Sequence, residues 1–218
     1  MVSTAVQLSA TDPAVPPALP RDPRSAADCE YDLVVVGGGV HGLCLLLEAV
    51  RRGLRAVLLE QNDFGSAVTF NHLRTLHGGL RYLQSLDLPR FFESVAERRW
   101  FLQQFPEHTR PLPCLMPLYG DRLRKPAIVR VAALLNDALS LNRNAGVPPS
   151  HHLTTTRVVP PDVVQAIFPG ARMEGLKGGV VWYDAVTIAP QRLVMELARR
   201  AAASGGIALN YVRAAAVL

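Results

Sequence analysis

Three glycine residues, Gly37, Gly39 and Gly42, follow directly after the apolar run Leu33–Val36 and have the spacing G-x-G-x-x-G. In such a pattern the first glycine makes a tight turn, the second lets the backbone contact a pyrophosphate, and the third lets a helix pack closely on the strand. The free N–H groups and the positive end of that helix attract phosphate. The spacing and its context predict a binding site for the diphosphate of a dinucleotide.

An acidic residue at the end of the second predicted strand strengthens this interpretation. Glu60 stands 23 positions after Gly37, and an acid at about that distance holds ribose hydroxyls. A carboxylate there favours the unphosphorylated ribose of FAD or NAD over that of NADP. Ser66 and Thr69 follow in a stretch of small and hydroxyl side chains, which suits the pyrophosphate and ribityl chain of an extended cofactor.

A second group of residues with chemical potential lies in the sequence HGGLRYL at positions 77–83. The pair Gly78 and Gly79 would let the backbone approach a flat ring system. Arg81 and Tyr82 place a permanent cation beside a phenol, and this pair predicts a binding site for an anionic substrate. Local chemistry equally allows Arg81 to form a surface ion pair and Tyr82 to be a half-buried aromatic ring.

A strand, a helix and a second strand must position the glycine turn. The four consecutive apolar residues at 33–36 predict a parallel strand that is covered on both faces. A helix is expected from about Val40, with Gly53 where its C-terminal cap belongs. Residues 54–59 predict the next strand.

The following segments predict a mixed α and β region. Asp87 is expected to cap a helix with Pro89 in its first turn. In that helix we expect one buried apolar stripe, Phe91, Val95 and Leu102, and a solvated face, Glu93, Glu97, Arg98 and Arg99. Residues 112–119 predict an edge strand because they contain two prolines, and residues 173–188 predict a pair of strands.

A basic cluster lies at the start of the apolar stretch IVRVAALLNDAL and consists of Arg122, Arg124, Lys125 and Arg130. A basic start on an amphipathic helix can dock on anionic lipid. The alternative is a solvated helix end that packs on its own domain.

Composition limits the remaining functions. The chain has 218 residues, of which 49% are hydrophobic and 19% are charged, as expected of a globular protein with one large or two small domains. The net charge is +5, and the Lys and Arg residues are spread among acidic residues instead of forming a block. This distribution argues against nucleic acid as a partner. Cysteine and histidine spacing predicts neither disulfides nor a metal site. Residues 1–29 are expected to be a disordered extension, with a targeting role as the alternative.

Combined, VVVGGGVHG, LLE and TLHGGLRYLQ resemble the FAD-dependent oxidoreductases of the D-amino-acid-oxidase-like superfamily. Within it the likeness is to the quinone-linked glycerol-3-phosphate dehydrogenases, whose motif reads nearly the same as residues 77–83. The likeness continues through the predicted helix at 88–104, the LPCLMPLYG strand and WYDA at 182–185. These dehydrogenases usually have a run of serines before a lysine ahead of HGG, whereas this chain has FNHLR at 70–74.

The resemblance implies FAD as the cofactor and assigns roles to matching positions. The ADP half of FAD would be held by Gly37, Gly39, Gly42 and Glu60. The rest of the cofactor would be lined by Gln61, Ser66, Thr69, Leu76, His77, Gly78 and Gly79. Arg81 and Tyr82 would face the substrate phosphate. No catalytic base is assigned, because the place of His77 in the motif favours a structural role, and no metal is expected.

The resulting fold class is α/β. A Rossmann-like FAD-binding domain is expected from residues 30–86 and 186–218, with an incomplete α+β substrate domain inserted at 87–185. The chain ends after a strand at which the resembling enzymes continue, so the sequence is interpreted as truncated.

The implied reaction moves hydride from the hydroxyl-bearing carbon of sn-glycerol 3-phosphate to flavin and then to a quinone. Such a protein is expected in the cytoplasm, with peripheral contact to the inner face of the membrane as a further expectation. A second hypothesis keeps the fold and exchanges the substrate for an amino acid or a 2-hydroxy acid, whose carboxylate Arg81 would clamp. A third hypothesis is a fragment that has no activity.

Overall fold

The computed structural model describes residue 19, residues 22–120 and residues 126–216. The predicted disordered extension at 1–29 therefore lies largely outside the described residues. The described chain forms two compact units, one with the residues up to His72 and from Gln191 onward, the other with Leu73–Pro190. The mixed α/β class predicted from the sequence is confirmed.

The first unit contains a parallel sheet of three strands in the order β1-β2-β7. The strands are β1 (Leu33–Val36), β2 (Ala56–Glu60) and β7 (Ile207–Asn210). Helix α2 (Val40–Arg51) joins β1 to β2 and begins where the sequence predicted. A short helix, α1 (Pro23–Ala27), precedes β1.

The core of this unit is apolar. Helix α2 buries Leu43, Leu46, Leu47, Ala49 and Val50. The central strand β2 buries Leu58 completely. Helix α7 (Pro190–Ala203) buries five residues, Leu193, Val194, Leu197, Ala198 and Ala201.

One expectation about β1 is wrong. Val35 is buried, but Val34 is 53% exposed and Val36 is 67% exposed. Strand β1 lies at the edge of the sheet, and within the described residues nothing covers the face that carries Val34 and Val36. An apolar run therefore did not imply burial on both faces of the strand.

The second unit is built on an antiparallel sheet around one long strand, β6 (Gly178–Thr187). Along its whole length β6 pairs with β4 (Thr109–Leu118). It also pairs with β3 (Thr75–Leu76) near one end and with β5 (Arg157–Val159) near the other. The expected strand pair at 173–188 is wrong, because residues 178–187 run as a single strand. The predicted edge position of the proline-containing strand is confirmed by β4.

Among the described residues, four α-helices complete the second unit. They are α3 (Leu80–Gln84), α4 (Leu88–Gln104), α5 (Pro126–Leu139) and α6 (Pro161–Ile167). The side chain of Asp87 caps α4 by accepting from the Arg90 amide at 3.3 Å, as the sequence predicted.

The solvated position expected for Arg98 is wrong. Its side chain is only 6% exposed, and it lies on the same face of α4 as Phe91, Val95 and Leu102. Arg98 follows Val95 by three positions and precedes Leu102 by four, so helical spacing places it inside the apolar stripe. Its burial requires a partner of opposite charge.

The observed boundary between the units differs from the one expected at residue 86. Residues 73–86 belong to the second unit. Strand β3 pairs with β6, and α3 packs against α4. These contacts attach residues 73–86, called here the HGG segment after His77, Gly78 and Gly79, to the antiparallel sheet.

Candidate functional site

The glycine turn between β1 and α2 has the geometry that its spacing predicted. Gly37 adopts a φ of +109°, which is strained for other residues, and its amide donates to the Leu59 carbonyl at 2.8 Å. A Cβ on Gly42 would collide with the carbonyl oxygen of Gly37. The first turn of α2 can therefore lie directly against the preceding loop.

The carboxylate of Glu60 points at this turn. Its Oε2 atom accepts a hydrogen bond from the Gly38 amide at 2.7 Å, and its Oε1 atom accepts from the Asn62 amide at 2.7 Å. A Cβ on Gly38 would lie 2.6 Å from the Phe64 ring. Gly38 is thus a fourth required glycine, which the G-x-G-x-x-G spacing did not identify.

The hydroxyl of Thr69 also reaches the turn. Its Oγ1 atom accepts from the Val40 amide at 3.1 Å, at the start of α2. The next amides, those of His41 and Gly42, lie in the first helical turn, where no intrahelical carbonyl is available to them. These N–H groups and the helix dipole make the start of α2 electropositive.

A cleft of about 460 Å³ opens over the turn. Six of the residues predicted to bind the cofactor line it, namely Gly37, Gly39, Gly42, Glu60, Ser66 and Thr69. Val35 and Val36 form an apolar part of the cleft wall. The exposed side of β1, which carries Val36, therefore borders this cleft. Gln61, which was also predicted, is exposed and is not among the lining residues.

The remaining predicted residues lie in the second unit. Leu76 belongs to β3, and Gly79, with a φ of +80°, is the N-terminal cap of α3. Arg81 is exposed on α3, and within the part of the chain that the structure describes it forms no ion pair. Tyr82 is half-buried, and the Arg90 guanidinium lies 6.0 Å from the centre of its ring.

A buried carboxylate that sequence reasoning missed, Asp184 on β6, organises the HGG segment. Its Oδ1 atom accepts from the Gly78 amide and from Nη1 of Arg98, both at 2.8 Å. Its Oδ2 atom lies 3.1 Å from Nδ1 of His77 and 3.4 Å from Nε1 of Trp182. The sequence held one sign of such a carboxylate. Helical spacing places Arg98 within the apolar stripe of α4, where a cation needs a partner of opposite charge.

Burial dominates the electrostatics of this cluster. It lowers the pKa of Arg98, and the neighbouring Asp184 opposes that change. Burial also raises the pKa of the Cys114 thiol on β4, which pairs with Trp182 across the sheet. Arg98 and Asp184 form a buried ion pair, with 2.8 Å between Nη1 and Oδ1.

Among residues 19, 22–120 and 126–216, no group of three or more His, Cys, Asp or Glu side chains is arranged to hold a metal ion. In that same portion of the chain, no helix combines the length and the apolar character that a membrane span requires.

The family follows from comparison with known proteins. A family model described as FAD dependent oxidoreductase, DAO, matches residues 32–218. The chain belongs to this family. FAD is therefore the cofactor that defines its class, and the resemblance inferred from the glycine turn and the HGG motif is confirmed.

Curated members of the DAO family with similar sequences are glycerol-3-phosphate dehydrogenases. The enzyme of Synechocystis sp. is 34% identical over 84% of this chain and 32% of its own length. Glycerol-3-phosphate dehydrogenase 1 of Mycobacterium bovis is 37% identical over 85% of this chain and 36% of its own length. The chain thus spans about a third of the length of these relatives.

Solved structures support the DAO fold. The glycerol-3-phosphate dehydrogenase of Bacillus halodurans, complexed with FAD, matches with a TM-score of 0.59 and 22% identity over 89% of this chain and 29% of its own. The L-α-glycerophosphate oxidase of Mycoplasma pneumoniae, with FAD bound, matches with a TM-score of 0.59 and 14% identity over 83% of this chain and 44% of its own. At these identities the matches show the fold alone.

Proposed function

We propose that the first unit of this chain holds the ADP half of FAD in the cleft over the glycine turn. The observation that carries the proposal is the position of the Glu60 carboxylate, which touches the turn at the Gly38 amide and lines the cleft. A carboxylate at the end of the second strand can accept from the two hydroxyls of a ribose. The first-turn amides of α2 can then receive the pyrophosphate.

The residues in the cleft fit the chemistry of that cofactor half. Among the residues that the structure describes, the wall has no basic side chain other than His41, so the pyrophosphate would be held by backbone amides and the helix dipole. Ser66 and Thr69 add hydroxyl groups that can donate to phosphate oxygens. When bound, FAD supplies a hydride acceptor. In this proposal the first unit binds the cofactor and the second unit binds the substrate.

For the substrate we propose sn-glycerol 3-phosphate. The similar curated proteins are glycerol-3-phosphate dehydrogenases, and Arg81 offers an exposed guanidinium that has no ion-pair partner among the described residues. A guanidinium can hold a phosphate through two parallel hydrogen bonds. Tyr82 can add a phenolic hydroxyl. Electrons would pass on to a quinone.

A 2-hydroxy acid or an amino acid is the second candidate substrate, because a guanidinium binds carboxylate as readily as phosphate. FNHLR at 70–74 departs from the serine and lysine run of the resembling dehydrogenases and favours this alternative. Reduction of a dye by the FAD-saturated protein separates the two. Turnover with glycerol 3-phosphate and none with lactate supports the first candidate, and the reverse supports the second. The absence of turnover with both supports a fragment without activity.

Helix α5 supports a proposal about the site of electron delivery. Only Ala133 of this helix is buried, whereas four apolar side chains are exposed, namely Ile128 at 43%, Val131 at 58%, Leu134 at 66% and Leu135 at 52%. An apolar face of this kind with basic residues at its start fits the surface of an anionic membrane, where quinone is dissolved. The basic residues Arg122, Arg124 and Lys125 lie outside the described residues.

A further inference from the structure

Among the described residues that line the cleft over the glycine turn, His41 is the one that can carry a positive charge. It lies in the first turn of α2, directly after Val40, and it is exposed. Leu45, four positions further along the helix, also lines the cleft. Residues four positions apart share one face of a helix, so this face of α2 forms one wall of the cleft.

The direction of helical side chains brings the imidazole of His41 towards the proposed phosphate site. In an α-helix each Cα–Cβ bond tilts towards the N-terminus. For a residue in the first turn, this tilt leads to the space in front of the first-turn amides, which have no intrahelical carbonyl to bind. A diphosphate held by those amides would therefore have the imidazole beside it.

Few other ionisable groups of the described chain face this imidazole. Strand β1 contributes valine side chains to the cleft, and residues 65–69 contribute hydroxyl and apolar groups. Glu60 on β2 is the other titratable residue that lines the cleft, and both of its oxygens accept backbone amides. On α2 the next ionisable side chains are Cys44, which does not line the cleft, and Glu48, which pairs with Arg52. A bound anion would be the main new charge that the imidazole meets.

The empty cleft and the occupied cleft differ in how they act on a charge at His41. The positive end of the α2 dipole repels an imidazolium in the first turn. A diphosphate placed against the same helix end attracts it. Because an imidazole changes its charge between about pH 5 and about pH 8, binding of the anion and uptake of a proton are coupled in this range.

We infer that His41 takes up a proton when the diphosphate of FAD enters the cleft, and that the imidazolium then pairs with the phosphate oxygens. The inference deepens the proposed function and rests on it for the identity of the ligand. The proton comes from solvent and returns to solvent when the cofactor leaves. The affinity for FAD therefore rises as the pH falls from about 8 to about 6, and His41 makes retention of the cofactor dependent on pH.

Titration calorimetry with ADP-ribose tests the proton uptake without turnover. ADP-ribose contains the adenosine and the diphosphate but no flavin, and unlike ADP it has no terminal phosphate that would itself titrate near about pH 6. Heats measured at about pH 7 in two buffers of different ionisation enthalpy give the number of protons taken up. The protein is expected to take up a fraction of a proton with ADP-ribose and with FAD, and none with adenosine. No uptake with ADP-ribose and FAD, or equal uptake with adenosine, overturns the inference.

Two substitutions separate the charge of His41 from its shape. The wild-type chain is expected to bind FAD about 3- to 5-fold more tightly at about pH 6 than at about pH 8, which is the size of an exposed ion pair. His41→Gln should remove both this difference and the proton uptake, because its amide stays neutral. His41→Arg, with a permanent charge, should bind FAD tightly at both pH values.

His152→Gln is the control, since His152 is exposed and belongs to the second unit. It is expected to keep the wild-type proton uptake and the wild-type difference in affinity. Proton uptake that is retained in His41→Gln overturns the inference, because the proton then goes to another group.

Failure of the inference is distinguishable from failure of the proposed function. A chain that binds FAD and ADP-ribose equally well at both pH values, without proton uptake, contradicts only the inference. A chain that binds neither ligand contradicts the proposed function and the inference with it. The wild-type measurements decide both questions, so the outcome does not depend on the folding of a variant.

Discussion

The carboxylate of Glu60 accepts a hydrogen bond from the Gly38 amide at 2.7 Å. This contact connects the end of β2 to the turn between β1 and α2, two features that are 22 residues apart in the sequence. It brings the group suited to a ribose next to the amides suited to a pyrophosphate. The adenosine diphosphate site that we propose therefore has both of its parts in the first unit.

Replacing Glu60 with Gln is expected to weaken FAD binding by about 10-fold, since a hydrogen bond to a charged group contributes about 1.5–3 kcal/mol and the amide retains part of it. The side-chain nitrogen of Gln donates and cannot accept, so one of the two backbone amides that Glu60 now binds loses its acceptor. Fluorescence titration of FAD measures the change. Glu48→Gln is the control, because Glu48 is exposed and forms its ion pair with Arg52 at the end of α2, away from the glycine turn. Equal affinities of the two variants would contradict the role of Glu60.

Gly39→Val is expected to abolish FAD binding while the fold is retained. A Cβ at this position would already lie 3.0 Å from the Thr69 hydroxyl, and the larger side chain fills the place where the pyrophosphate would lie. Circular dichroism checks the fold, and FAD titration checks binding. Gly170→Val is the matched control, since Gly170 is exposed and lies outside the cleft. Retained binding in Gly39→Val would remove the glycine turn from the site.

Arg81→Ala is expected to weaken binding of glycerol 3-phosphate by about 1.5–3 kcal/mol, the contribution of a hydrogen bond to a charged group. FAD affinity should not change, because Arg81 does not belong to the first unit. Calorimetry with each ligand separates the two effects. Arg192→Ala, an exposed arginine on α7, is expected to alter neither affinity. An unchanged glycerol 3-phosphate affinity in Arg81→Ala would exclude Arg81 from the substrate site.

Arg98→Met is expected to destabilise the second unit by about 3–5 kcal/mol, because it leaves the buried carboxylate of Asp184 without its counter-ion. Urea denaturation measures the loss. Arg99→Met provides the comparison, since Arg99 is partly exposed and donates only to the Asn142 carbonyl at 3.1 Å; it should cost less than about 1 kcal/mol. Similar losses in the two variants would contradict the importance of the buried pair.

The thiol of Cys114 is expected to react with iodoacetamide more slowly than that of Cys29. Burial raises the pKa of Cys114, so at a given pH below that pKa a smaller fraction is the reactive thiolate. Cys29 is exposed. Its reaction should therefore be faster, and the rate for Cys114 should keep rising as the pH increases. Mass spectrometry of alkylated peptides measures both rates, and faster labelling of Cys114 would contradict its partly buried position.

The glycine turn could be predicted from sequence because its requirements are local. Gly37, Gly42 and Glu60 are fixed by one strand, one turn and one helix, whose spacing is regular. Gly38 was missed because its need for glycine depends on the Phe64 ring, a contact that spacing alone does not show.

The buried cluster in the second unit could not be predicted in this way. Asp184, His77 and Arg98 come from three separate segments, and the contact between His77 and Asp184 spans 107 residues. The charge of Arg98 suggested a solvated side chain, and only its ion pair with Asp184 allows burial. The single strand β6 was also missed, because residues 173–188 were predicted to form a pair of strands and residues 178–187 form one.

Ligand competition on the purified chain tests the central claim most directly. The account predicts that FAD binds, that ADP competes with it, and that FMN, which lacks the adenosine monophosphate part of FAD, does not compete. These results would follow from a cleft that binds the adenosine diphosphate against the glycine turn and Glu60. Binding of FMN with no competition by ADP, or no binding of FAD at all, would contradict the account.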